Sequence, residues 1–529
     1  LHGNSVSVWI RGEWKLVTKS ASHRDSSDLA AFGYRQRLDR TLGSFSSFAA
    51  GFSYLSILTG LPQLFYLGYG AGGPAFIWSW PVVFLGQFLV ALCFAELGAC
   101  YPLAGGVYQW SRQIGPVWVG WMAGWIYLAC AVITLASVAL ALQSTLPQLA
   151  SGFQILGRRE RIEDAARNAV LLGCVLIFFS ILINSLGVRL LSRINNVGVI
   201  AELAGTVLLI VLLTAGARRD FGVVFDRQGR GDGLALGYLG PFLAAALVPS
   251  FVMYGFDSAG SLAEEISDPR RRAPRAILGA LAAVGLAGAL LILGALRSVG
   301  DLGNSALGRI SGGFPAIVRE VLGPQLGRLF LVDIAMAIVV CTLTVHAGAV
   351  RLVFAMARDN SLPFSERLAR IPKSSQTPVL PVILLGGGAA LLLLVNVDFP
   401  QVIEVMASVA IVWANLAYLL VTVPLLVRRF RGRSVGGGLR PQGVFSLGRW
   451  GLVVNLLAVI WGVLIVVNVG WPRPEIYGTS WYRRFSAPLA TFALIAVGGV
   501  YYGLYQRHKT GVLEAHRAEL STPHFHESC

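Results

Sequence analysis

Ionisable and hydroxyl side chains are scarce in the apolar runs of this chain, so the few present are where chemistry is to be sought. Asp257 stands in Tyr254-Gly255-Phe256-Asp257-Ser258-Ala259-Gly260-Ser261, a stretch poor in helix formers midway through a hydrophobic span. An acid and two glycines there are costly unless the backbone lines a cavity. The pattern reads as a broken transmembrane helix, the usual seat of a transporter's substrate site. The competing reading is a glycine-kinked helix with Asp257 satisfied by its neighbours. A second irregular stretch, Gly51-Phe52-Ser53-Tyr54, is followed by Ser56, Thr59 and Gly60. Hydroxyls there can satisfy freed backbone groups or contact a ligand, or they can serve small-residue helix packing.

Glu202 is the only acid of its span. It reads as a carboxylate that loads and unloads a proton, against a fixed hydrogen bond or ion pair with another span. His346 reads as a proton shuttle or substrate contact, against a packed hydrogen-bonding histidine. Glu96, Glu264 and Glu265 fall at span ends, with Arg112, Arg189, Arg193 or Arg358 as expected partners in an inner gate of ion pairs. Solvated helix ends are the competing reading.

The elements that must position these residues are long apolar helices. Hydrophobic residues make up 55% of 529 and charged residues 13%, the composition of an integral membrane protein. Runs able to cross roughly 30 Å of hydrocarbon recur twelve times. They lie near 44–67, 75–100, 116–145, 169–187, 194–216, 238–265, 275–296, 328–356, 378–397, 400–427, 450–471 and 486–506. The segments on one side of these spans are richer in Lys and Arg, which assigns both termini to the cytoplasm. The net charge of +16 then belongs to basic loops facing anionic lipid and not to nucleic acid. The irregular spans, first and sixth, lie five apart, the mark of an inverted repeat of two five-helix halves. That divides the chain into a tail (1–43), a ten-helix core (44–428, in halves near 44–216 and 238–428), two additional helices (450–506) and a second tail (507–529).

Six cysteines show no paired spacing for a disulfide framework or a zinc site. A phosphate loop, a metalloprotease helix and a nucleophile elbow are all missing, so neither ATP-driven transport nor an enzyme is expected. No metal, catalytic residue or cofactor is expected either; the driving force is an ion gradient.

Three motifs resemble the amino acid–polyamine–organocation permeases, in that family's order. The first is Glu96-Leu97, Pro102, Gly105-Gly106, Tyr108 and Gly124-Trp125. The second is GFDSAGSLAEEISDPRRRAPRAI in span 6. The third is ARDNSLPFS with TPVLP downstream. The chain looks most like the amino acid/choline branch, which includes 4-aminobutyrate permeases; Asn360 departs from the common glycine in a loop that tolerates it. The resemblance implies an all-α LeuT fold, a 5+5 inverted repeat with two extra helices. Spans 1, 2, 6 and 7 would rock against 3, 4, 8 and 9 around a midplane substrate. It assigns the substrate carboxylate to Gly51, Phe52, Ser53 and Tyr54 with Ser56 nearby, and the ammonium to carbonyls around Tyr254 and Gly255. Phe256 and Tyr254 would close over the ligand, and Asp257 would pair a cationic head or cap the second half-helix. Thr342 and Thr344 are possible sodium ligands, ranked below protons, and Trp413 and Asn415 candidates for an outer gate. The implied function is a proton symporter of the plasma membrane importing an amino acid or 4-aminobutyrate. The alternatives are a choline or organic-amine permease, an amino acid/amine exchanger and, remotely, a non-transporting sensor.

Overall fold

The protein is described by a computed structural model covering residues 28–517, apart from 39, 159–160, 310–311, 373–375, 399–401, 437–442, 479 and 510. The described residues contain no strand, only two isolated bridges, Tyr34 with Arg517 and Leu42 with Ile266. Ten helices among them are long and apolar enough to cross a membrane; two shorter apolar ones, Leu239–Val252 and Val379–Val395, bring the set to the twelve expected.

The first span is two helices, α1 (Ser44–Leu55) and α2 (Ile57–Gly72). The second is α3 (Ser79–Cys100), joined through α4 (Gly106–Ile114) to the third, α5 (Val117–Leu140). The fourth and fifth are α6 (Ile162–Leu186) and α7 (Val188–Ala215). The sixth is in pieces: α8 (Leu239–Ala245), α9 (Leu247–Val252) and one turn, α10 (Ser258–Ser261). Then come α11 (Pro269–Ser298), α12 (Gly313–Arg358), α13 (Val379–Asp398) and α14 (Val402–Phe430). The last two are α15 (Gly451–Gly470) and α16 (Ser486–Leu504).

Local chemistry sets the breaks. Gly255 has φ 94°, a region that costs other residues a steric penalty, and a Cβ there would lie 2.0 Å from the Tyr54 ring. Proline at the first turn of α11 needs no partner for the N–H it lacks, and Asp268 before it turns the chain at φ 50°. The helix α12 bends at Gly323, φ 75°, beside Pro324.

The helices sort into two sets. In one, α11 packs on α3 and α1, and α8 and α9 pack on α2; in the other, α13 packs on α6 and α5, and α12 packs on α5. Contacts of α12 with α1 and α2, and of α14 with α5, close the seam. α15 and α16 pack on α14 from outside.

The segments flanking the bundle are ordered parts of it. The Leu42 N–H donates to the Glu265 carbonyl (2.9 Å), and the Ser267 N–H to the Leu42 carbonyl (3.2 Å). The Arg35 N–H donates to the His516 carbonyl, and the Leu513 N–H to the Arg358 carbonyl, each at 2.9 Å. Residues 28–38, 40–43 and 511–517 of the two tails therefore pack on the bundle. Both segments cover one end of the bundle, called here the terminus face.

Candidate functional site

The first break is at Ser56 and not at Gly51–Tyr54. Those four residues are helical, and Ser56 alone leaves the helix, at φ 27° and ψ 96°. Gly51 serves packing instead: a Cβ there would lie 3.1 Å from the Ala280 methyl of α11. Phe52 stacks on Phe48, and Ser53 Oγ lies 3.0 Å from Thr344 Oγ1, itself 3.0 Å from Asn195 Oδ1. Of the five predicted residues, Tyr54 sets its ring against Gly255 of the second break, and Ser56 turns to Glu202 of α7.

Glu202 reaches this first break from α7. Its Oε1 accepts from Ser56 Oγ (2.9 Å) and from the Leu58 backbone N–H (3.2 Å). The start of a helix exposes unsatisfied N–H groups and the positive end of the dipole, so it attracts an anion. The family resemblance puts a substrate carboxylate at Gly51–Tyr54, with Ser56 nearby; in this structure a carboxylate of the protein holds the start of α2, beyond those four residues. The side chain is 1% exposed, and its Oε2 has no partner.

Asp257 lies at the second break, 0% exposed. Its Oδ1 accepts from Tyr127 of α5 and Tyr418 of α14, each at 2.6 Å, and its Oδ2 has no partner. The side chain makes no cap to α10, which removes the capping role. Tyr418 also accepts the Gly255 N–H (2.8 Å), so it fixes both the acid and the unwound backbone. The Gly255 carbonyl is taken by the Ser258 N–H (3.0 Å). Tyr254 reaches Thr134 Oγ1 (2.8 Å), and its ring meets Tyr54 edge-on at 6.4 Å. Phe256 packs on Phe94 and Tyr418. Tyr54 Oη is buried without a partner. The result is one carboxylate held by two tyrosines, with a second tyrosine pair, Tyr54 and Tyr254, joining the two spans.

The terminus face below is closed by buried ion pairs. Glu264 accepts from Arg358 Nη1 at 2.8 and 2.9 Å and from the Ala104 N–H. Glu265 pairs with Arg351 at 2.7 Å, two helical turns earlier on α12. Arg358 was an expected partner; Arg351 was not. Glu96 pairs with Arg429 of α14, outside the expected set, and accepts from Ser446 and Leu447. Arg112 goes to Asp359, which also accepts from Tyr108, Gln109 and Tyr34. The Tyr34 ring lies 3.9 Å from the Arg358 guanidinium carbon. Beside these pairs a small recess of about 30 Å³ opens between α1, α7 and α12, lined by Ser46, Asn195, Thr344 and Arg351 among others.

The opposite face is bridged by tyrosine hydrogen bonds. Tyr66 of α2 donates to Glu404 of α14 (2.6 Å), whose Oε2 has no partner, and Tyr69 donates to the Leu302 carbonyl (2.6 Å).

Several predicted residues lie elsewhere. His346 sits between α6 and α13, bonded to Ser180 Oγ and the Val382 carbonyl, each at 2.9 Å, so it is a packed histidine. Thr342 bonds back to the Ile338 carbonyl, apart from Thr344. Trp413 turns outward to Thr491 of α16, and Asn415 to Gln87. Sequence reasoning missed Tyr127, Thr134, Tyr418, Tyr66 and Glu404. The signal was available: each is a hydroxyl or acid inside or at the edge of an apolar span.

An amino acid permease family model matches residues 42–504, and the chain belongs to that family. It is 27% identical over 500 residues to the amino-acid permease BAT1 of Arabidopsis thaliana, covering 91% of this chain and 94% of that one. It is 24% identical over 505 residues to the GABA-specific permease of Saccharomyces cerevisiae, covering 94% and 87%. Amino-acid permease 2 of Neurospora crassa is 27% identical over 527 residues, covering 95% and 92%. The protein is thus a multi-pass membrane protein and an amino acid transporter.

Proposed function

We propose that the protein imports an amino acid, with 4-aminobutyrate the leading candidate, across the plasma membrane by proton-coupled alternating access, its termini in the cytoplasm. The observation that carries the proton coupling is Glu202 on Ser56 and Leu58. A substrate carboxylate and an ionised Glu202 compete for one helix start, because two carboxylates there repel. Protonating Glu202 neutralises it and frees the helix start for the substrate. Proton and substrate then bind with positive linkage, and each raises the affinity of the other. The substrate amine goes to Asp257, whose free Oδ2 and tyrosine partners suit a cation. In this reading 44–216 and 238–428 are the two repeats, and the recess beside α1 is the way to the cytoplasm. Glu264, Glu265 and Glu96 hold the inner gate, and Tyr66 with Glu404 the outer one.

The likeness to amino acid and GABA permeases supports an amino acid over a simple amine. A choline or organic-amine permease is the second reading, because four tyrosines also suit a quaternary ammonium. Proteoliposomes separate the two. Under an inward proton gradient, labelled amino acid or 4-aminobutyrate accumulates and excess choline does not compete. Uptake of choline with none of any amino acid would overturn the proposal.

A further inference from the structure

The ion pairs that close the terminus face are held from outside by the two tails. Glu264 pairs with Arg358, and the N-terminal segment grips both partners. Gln36 Nε2 donates to the Glu264 carbonyl (3.1 Å), and the Tyr34 ring, two residues earlier, lies on the Arg358 guanidinium. The C-terminal segment adds the Leu513 N–H, which donates to the Arg358 carbonyl. Glu265 pairs with Arg351, and the Glu265 carbonyl accepts the Leu42 N–H.

The N-terminal segment thus spans the seam that these pairs close. On one side Arg40 donates to the Ile266 carbonyl (3.0 Å), and Asp28 pairs with Arg270 of α11 (2.6 Å). Leu42 packs there on Ala50 of α1, Leu262 and Ile266. On the other side Tyr34 Oη donates to Asp359 Oδ2 (3.2 Å), just past α12, and Leu38 packs on Ala104 and on Phe354 of α12. The C-terminal segment backs this side: Arg37 Nε donates to the Ala515 carbonyl (3.2 Å), and the His516 ring meets Phe354 edge-on. Leu29, Tyr34, Leu38 and Leu42 are each at most 4% exposed, so the segment is packed into the face and not draped over it. Opening the face parts Glu264 and Glu265 from α12. A segment bonded to both sides must then let go of one.

We propose that residues 28–38, 40–42 and 512–517 form a strap that latches the terminus face shut, so that the face opens only when the strap releases the end of α12. This rests on the alternating-access reading above and not on the coupling ion. The α12 end gives first, because the N-terminal segment holds it by the Tyr34 phenol and apolar packing. The other end is held by backbone pairing, side-chain hydrogen bonds and an ion pair.

Alkylation of the purified protein by N-ethylmaleimide tests this, read by mass spectrometry so that a new cysteine is resolved from the six native ones. Ala50→Cys probes the recess that Leu42 walls, and Leu307→Cys, at a buried site beside α2, probes the opposite face. Tyr34→Phe should speed alkylation at Ala50→Cys about tenfold and leave that at Leu307→Cys unchanged or slower. Leu513→Pro should act in the same way. Its φ of −56° suits proline, and the change removes the N–H that holds the Arg358 carbonyl. This second variant also serves if Tyr34→Phe does not fold. A wild-type rate at Ala50→Cys in either folded variant overturns the strap. Faster alkylation on both faces overturns it too, since that marks a loosened bundle. The transport reading fails separately, if neither 4-aminobutyrate nor any amino acid changes either rate while the strap is intact.

Discussion

Each of the two breaks carries one buried carboxylate, and each carboxylate has one oxygen engaged and one free. The engaged oxygen of Glu202 holds a helix start; that of Asp257 holds two phenols. Charge-assisted hydrogen bonds of this kind contribute about 1.5–3 kcal/mol each. Replacing Tyr127 or Tyr418 with Phe leaves Asp257 one bond, so the acid is less fixed. Substrate affinity should fall about tenfold, which corresponds to about 1.4 kcal/mol. Tyr418→Phe should cost more than Tyr127→Phe, because it also orphans the Gly255 N–H. Equilibrium binding of labelled substrate checks both; equal affinity in wild type and both variants would remove the tyrosines from the site. Asp257 was legible in the sequence as an acid inside a span. Its tyrosine partners stood out only as hydroxyls in apolar spans; they come from spans 3 and 10, and nothing in local spacing brings those together. The position of the first break was misread by a few residues for a related reason. A glycine in a tight helix contact and a glycine at a break look alike in sequence, and only the α11 methyl beside Gly51 separates them.

At the scale of elements, the turn α10 and the short stretch after it are tied to α12 by two ion pairs, Glu264 with Arg358 and Glu265 with Arg351. Removing one partner of such a buried pair leaves an unpaired charge and costs about 3–5 kcal/mol. Arg351→Gln should therefore lower the melting temperature, and adding Glu265→Gln should recover most of the loss. A double variant no more stable than the single one would show that the pair is not coupled. The segments over this gate bring a pH dependence. Burial, then the charges of Arg358 and Arg37, hold the His516 imidazole down to about 4 from 6.5. A folded value below the unfolded one means that docking is at full strength above about 6.5 and is lost as pH falls toward about 4. Amide exchange at residues 512–517 should rise over that window, and His516→Phe should abolish the rise. The sequence signalled these acids and Arg358, but not Arg351 or Arg429. Arg351 and Arg358 share one face of a long helix, and which acid meets which arginine depends on the length of the turn after Asp257.

For the whole molecule, the twelve spans and the pairing of two breaks were readable because hydrocarbon permits few solutions. A chain that must satisfy its backbone without water reveals its helices by composition. The packing of α15 and α16 outside the core, and the two closed faces, were not readable, since they depend on tertiary contact. The asymmetry of those faces has a consequence for transport. One is held by buried ion pairs, the other by hydrogen bonds from Tyr66 to Glu404 and from Tyr69 to a carbonyl. High salt should therefore speed opening of the terminus face and leave the other unaffected, provided that water reaches the pairs as it opens. Cysteine accessibility on each face, measured against salt, checks this.

The central claim is that substrate carboxylate and Glu202 share the start of α2, so that substrate binding takes up a proton. Calorimetric titration measures this directly, using the amino acid that gives the largest thermal shift, in two buffers of different ionisation enthalpy near neutral pH. The difference between the two heats counts the protons bound with each substrate. The account predicts net proton uptake in the wild type, up to about one per substrate, and none in Glu202→Gln, with binding retained. Binding without proton uptake in the wild type, or equal uptake in the variant, would contradict it.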